Sequence, residues 1–124
     1  MPLPRLISCL LSLLLFAMPS WAKRATPKEV PPIENNGIRY SAVVWGSDIG
    51  EKQNGGFVEA HEIASGKLLW RVKVYSTAYK SGLEKDVQDV FITSLALKNG
   101  ELIVENEKGE EFAVDLKTRK VRRP

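Results

Sequence analysis

One histidine stands in the chain, and acids flank it: Glu59, His61 and Glu62 fall within four residues. An imidazole beside a carboxylate could bind a metal or act as a general base. Zinc sites draw on three or four convergent ligands, and no spaced His or Cys set accompanies His61. If Val58 and Ala60 face a core, His61 lies with Glu59 on the opposite, solvated face of the strand. A second acidic group, Glu84, Asp86 and Asp89, could gather oxygens around calcium. It lacks the glycine-pivoted loop of an EF-hand, so capping or solvation is its ordinary use. The serines lack a strand–turn–helix elbow, and the single cysteine, Cys9, sits in the N-terminal apolar stretch. No catalytic residue, metal site or cofactor is therefore expected. The competing reading is a small metal or ligand binder, or a minimal enzyme, built on His61 and Glu59 or on the Glu84, Asp86 and Asp89 group.

Recognition by contact is the better-supported chemistry, because exposed aromatics dominate contact energy. Trp45 opens a polar, glycine-rich stretch over residues 46–55 (GSDIGEKQNG) that contains Asp48, and long loops on a rigid sheet are where binding groups sit. Tyr75 is expected on the face of Arg71 and Lys73. Trp70 falls on an apolar face and reads as core. The candidate binding residues are Trp45, Asp48, Tyr75 and His61.

The elements that must position them read as strands. Residues 38–45 (IRYSAVVW) are rich in β-branched and aromatic side chains, and 57–63 follow the polar loop. Residues 68–75 alternate Leu68, Trp70, Val72 and Val74 against Arg71 and Lys73, the period of a half-buried antiparallel strand. Residues 76–86 form a loop with a possible helical turn near its end, and 87–97 (VQDVFITSLAL) are expected as a central strand buried on both sides. Asn99-Gly100 is a strong hairpin signal. Strands over 101–105, 111–116 and 120–122 complete an all-β fold of about seven mainly antiparallel strands, a small sandwich or barrel. Residues 23–37 hold three prolines with Asn35, Asn36 and Gly37 and read as a flexible leader to a single domain over 38–124.

The domain reads as two repeats, 38–75 and 91–123. A shift of 53 residues sets Ala60 on Ala113, Ser65 on Thr118, Lys67 on Lys120 and Leu68 on Val121, with Ser41 on Ser94 and Val44 on Leu97 upstream. The stretch VEAHEIASGKLLW, 58–70, resembles the blade repeat of quinoprotein-type (PQQ-like) β-propellers, in which a strand, a Thr-Gly-Lys-like turn and a Trp-bearing strand follow one another. FAVDLKTRKV, 112–121, is similar, with Arg119 in place of the turn glycine and Arg123 where the Trp would fall. The resemblance implies blade-like sheets, but a propeller closes with about four to eight blades and this chain has material for two. No residue of the family's quinone site maps onto this sequence. The whole chain is also similar to small uncharacterised exported bacterial proteins with a VEA…GK-LW…DVQ-VFI…NE-G pattern, which implies no assigned activity.

Residues 1–22 pair Arg5 with an apolar run from Leu6 to Met18 and end in small residues at Ser20 and Ala22. That is the pattern of a cleaved signal peptide, cut after Ala22, and the run is short for a membrane span. A periplasmic or secreted protein is expected, without a stable membrane span after cleavage. Removal leaves 17 basic and 15 acidic side chains and no cysteine. Five of the basic residues crowd the last eight, a solvated tail rather than a nucleic-acid grip. The expected partner is another cell-envelope protein, or a second copy of the chain, met at a sheet edge or at the 46–55 loop.

Overall fold

Two Asn-Gly pairs set the register of the fold. Asn36 and Gly37 hold φ of 52° and 77°, and Asn99 and Gly100 hold 51° and 75°. Positive φ at both central positions is the type I′ geometry, whose twist matches that of antiparallel strands. In the computed structural model, which describes residues 25–124, each pair opens a four-stranded antiparallel sheet in simple sequential order. The first comprises β1 (Ile33–Asn35), β2 (Ile38–Val43), β3 (Phe57–Glu62) and β4 (Leu68–Lys73). The second comprises β5 (Ile92–Lys98), β6 (Glu101–Asn106), β7 (Glu111–Asp115) and β8 (Val121–Arg122). A 3₁₀ turn, Gly46–Ile49, and one helical turn, α1 (Lys85–Gln88), are the helical pieces among the described residues. The sheets stay open and face one another, so of sandwich and barrel it is the sandwich that forms. The signal segment, 1–22, lies outside the described residues.

Four expectations change. There are eight strands, because residues 33–35, assigned to the leader, pair with β2; the Asn36-Gly37 turn supplies the geometry that apolar periodicity did not announce. Upstream of β1, Val30 packs on the core. Residues 87–91 are not strand: α1 and an extended segment precede β5. β5 is an edge strand with one solvated face, not a doubly buried central one. Leu68 does not share the face of Trp70: Ala60 pairs with Trp70 but His61 pairs with Leu68, so Leu69 is an extra, bulged residue. A bulge flips everything beyond it to the other face.

The core lies between the inner faces. Tyr40, Val58 and Ala60 of the first sheet meet Leu95, Leu102, Val104, Phe112 and Val114 of the second, with Val74 and Ile92 closing one end. Trp70 seals one flank, its ring 5.9 Å from that of Tyr40.

The β3–β4 and β7–β8 corners share one hydrogen-bond pattern. The N–H of Glu62 donates to the Lys67 carbonyl at 2.8 Å, and that of Asp115 to Lys120 at 2.9 Å; Gly66 N–H to Glu62 and Arg119 N–H to Asp115 are both 2.7 Å. Arg119 holds φ of 64°, where Gly66 holds 74°. Upstream, the uniform shift fails. The Asn-Gly turns lie 63 residues apart, so β2 corresponds to β6 and not β5; Ser41 and Ser94, Val44 and Leu97 are not equivalent. The ten-residue difference arises because a long loop joins β2 to β3 while a tight turn joins β6 to β7. Arg122, opposite Ala113, takes the place of Trp70, opposite Ala60, rather than Arg123.

These equivalences show that the sheets pack head to tail. Val58 and Ala60 face the core, but their counterparts Glu111 and Ala113 face outward; Phe112 and Val114 face the core, and their counterparts Glu59 and His61 face outward. At the outer faces, charged residues stand where the internal interface has apolar ones, as in the polar end caps of stacked-repeat proteins. Converting Arg39→Leu together with Glu59→Phe gives the outer face the residues of its buried counterpart, Leu102 and Phe112. Sedimentation velocity is expected to show concentration-dependent self-association of this variant but not of the parent. A variant that stays as dispersed as its parent would refute the capping role.

Candidate functional site

The two longest connections, residues 44–56 between β2 and β3 and residues 74–91 crossing between the sheets, gather at one end of the sandwich with the tight β6–β7 turn at 107–110. Glycine makes the close approach possible. Gly55 (φ 74°) packs so tightly against the crossover that a methyl group would overlap the Val90 carbonyl, and one on Gly56 would lie 2.8 Å from the Tyr75 carbonyl.

A polar knot fixes these loops. Gln53 is buried; its amide nitrogen donates to the carbonyls of Gly55 at 3.0 Å and Tyr75 at 2.9 Å, and its amide oxygen accepts from Thr77 N–H at 2.7 Å. Asn54 accepts from Gly46 N–H at 2.9 Å and donates to Asp89 Oδ2 at 3.1 Å. The Tyr79 hydroxyl donates to Asp89 Oδ1 at 2.6 Å. Asp89 is only 4% exposed, and buried carboxylates need such donors. Burial, and then the hydrogen bond to Asp89, push the Tyr79 phenol up to about 12. Burial, followed by Glu107 and Glu110, raises the Tyr75 phenol further, and burial raises Tyr40. Thr77 Oγ1 is buried without a hydrogen-bond partner among the described residues.

Beside the knot lies an open cleft of about 820 Å³. Its floor is the Tyr75 ring stacked on Phe112, with centroids 5.2 Å apart and planes at 22°. Leu83 and Val87 stand on one wall at 60% and 54% exposure, the most exposed large apolar side chains among the described residues. Lys80 belongs to the same wall and Lys108 to the facing turn. Arg123 lies 4.8 Å over the Phe112 ring and pairs with Glu110 at 3.5 Å.

The sequence-expected residues do not converge. Trp45 is 42% exposed and meets Phe91 edge-on at 5.6 Å. Asp48 is exposed in the 3₁₀ turn. Tyr75, expected on the Arg71 and Lys73 face, turns inward because β4 ends at Lys73 and the alternation continues only to Val74, whose N–H bonds the Gly56 carbonyl. Its hydroxyl donates to the Val90 carbonyl at 2.6 Å. His61 lies on the outer face, 3.9 Å from Glu59, and Glu59 is already held by Arg71 at 2.6 Å. Asp89 separates from Glu84 and Asp86, which stay exposed near α1. No group of three or more His, Cys, Asp or Glu side chains converges among the described residues, and no helix there is long and apolar enough to cross a membrane. The residues that sequence reasoning passed over are Gln53, Asn54, Tyr79 and the cleft itself. The one available signal was Asp89, a lone carboxylate next to Val90-Phe91. The chain matches no protein-family model and no curated protein sequence.

Two outcomes follow. Gly55 and Gly66 share φ of 74°, but the space around Gly66 is open. Gly66→Ala should therefore cost about 1 kcal/mol, the backbone penalty alone, and Gly55→Ala more than about 3 kcal/mol or the fold. Urea midpoints compare them, and equal losses would contradict the close packing. A tyrosine whose folded pKa exceeds its unfolded value contributes stability that is complete below about pH 10 and lost as pH rises through the folded pKa. Stability should thus start to fall above about pH 10, where the urea-unfolded chain titrates, while the difference absorbance of the native protein lags behind and the Tyr79 phenol ionises only toward pH 12. A native titration centred on 10 would mean the tyrosines are not packed as described.

Proposed function

We propose that this is an exported, non-catalytic β-sandwich that works by binding another protein of the cell envelope, with the cleft floored by Tyr75 and Phe112 as its contact surface. The observation that supports this reading is the pair Leu83 and Val87. They hold apolar surface in water beside an aromatic floor, on a segment pinned at both ends by the Gln53 and Asp89 hydrogen bonds. A preorganised apolar cleft loses little entropy on binding. The Trp45 edge and Asp48 belong to the same loop end and extend the surface. His61 with Glu59, the alternative centre, sits on an exposed sheet face in a cross-strand ion-pair ladder, an arrangement that solvates a surface.

A photoreactive phenylalanine analogue placed in turn at Leu83, Val87 and Glu111 tests this in the native envelope. The expected outcome is one defined adduct from positions 83 and 87 and none from 111, which lies on the outer face. Equal labelling from all three positions, or from 111 alone, would overturn the assignment of the cleft.

A further inference from the structure

The charged groups around the cleft differ in whether they are already engaged. Asp89 accepts from Tyr79 and Asn54, Glu107 from the Phe91 N–H at 2.8 Å, and Glu110 from Asn106 at 3.0 Å and from Arg123. Each carboxylate of the cleft is thus held inside the fold. The ammonium groups of Lys80 and Lys108 make no ion pair within 4 Å among the described residues, although Lys108 acts on the Glu110 carboxylate at longer range. They stand on opposite walls, one on the crossover and one on the β6–β7 turn. A ligand carboxylate lying between them forms new ion pairs and breaks none. A ligand ammonium would meet carboxylates whose charge is already shared with donors of the fold.

We propose, resting on the reading of the cleft as a protein-docking surface, that its occupant is an extended segment of a partner protein in which an apolar side chain is flanked by acidic ones. The apolar side chain covers the Tyr75 and Phe112 rings between Leu83 and Val87. The flanking carboxylates reach Lys80 on one wall and Lys108 on the other. The recognition is charge-assisted at the rim and apolar at the centre, the usual anatomy of a peptide groove. Two rim pairs of this exposure together discriminate about tenfold.

Three capped peptides test the proposal: Ac-Gly-Leu-Glu-Phe-Glu-Gly-NH2, its Gln-for-Glu analogue and its Lys-for-Glu analogue. Each is titrated to about 1 mM into ¹⁵N-labelled protein purified as the cell processes it from the full-length gene. The expected result is amide shifts at Leu83, Val87, Lys108 and Phe112, with the acidic peptide binding about tenfold tighter than the Gln form and the Lys form weakest. The Lys80→Glu and Lys108→Glu double variant, two surface changes that leave the core intact, should reverse that order. Equal binding of all three peptides in the cleft would overturn the acidic specificity while leaving the docking surface standing. Absence of cleft shifts with every peptide would overturn both.

Discussion

Tyr75 is the joint of the molecule. Its ring stacks on Phe112 of the second sheet, its hydroxyl donates to the Val90 carbonyl of the crossover, and its own carbonyl accepts from Gln53 of the β2–β3 loop. Three segments distant in sequence meet at one residue just past the end of β4. Sheet faces packed through aliphatic groups resist separation far better than sliding, since apolar contact has no preferred direction. Directional bonds at one end convert that contact into a single geometry. Val90 and Phe91 lead directly into β5, so the Tyr75 bond also fixes where the second sheet begins. The raised ionisation of Tyr75 is the same burial expressed in its proton affinity.

The rest of the surface is arranged against association. Head-to-tail packing leaves two unlike outer faces, and unlike faces that complement one another propagate into rings or filaments. Here both carry cross-strand ion pairs, Arg71 with Glu59 and Arg122 with Glu101, and of these residues Glu59, Arg122 and Glu101 stand where the inner faces carry Phe112, Trp70 and Ile38. The four sheet edges are defended by other means. β1 has three residues and β8 two, and the longer edge strands β4 and β5 are both bulged, at Leu69 and Thr93. Short and bulged edges are poor templates for strand addition.

Much of the fold was legible because a half-buried antiparallel strand writes its pairing into a period of two, and turns write theirs into Asn-Gly and Ser-Gly. What escaped has specific causes. β1 is too short to show a period, although Asn36-Gly37 carries the same signal as Asn99-Gly100. The 87–91 stretch is apolar for tertiary reasons: Val90 and Phe91 are buried beneath loop residues, while Val87 faces the cleft. No local pattern separates those two roles. The bulge at Leu69 defeats any parity argument that runs through it, and with it the placement of Leu68. The site was less legible still. Gln53 and Asn54 look like ordinary loop residues, and their function depends on partners 22 and 35 positions away.

The position of the cleft follows from the topology. A chain that completes one meander and must start another facing it needs a crossover, and β4 to β5 is the longest connection between consecutive strands among the described residues. Such a segment cannot satisfy its backbone in a ladder, so side chains do the work: Gln88 alone bonds the backbone of Lys80, Leu83 and Glu84. That internal bracing holds Leu83 and Val87 outward on an ordered wall rather than letting them collapse onto the core. Apolar groups kept in water by an ordered scaffold contribute nothing to folding stability. Their presence on the one connection that topology forces to be long places the cleft beside the joint, where the two sheets are most firmly held together.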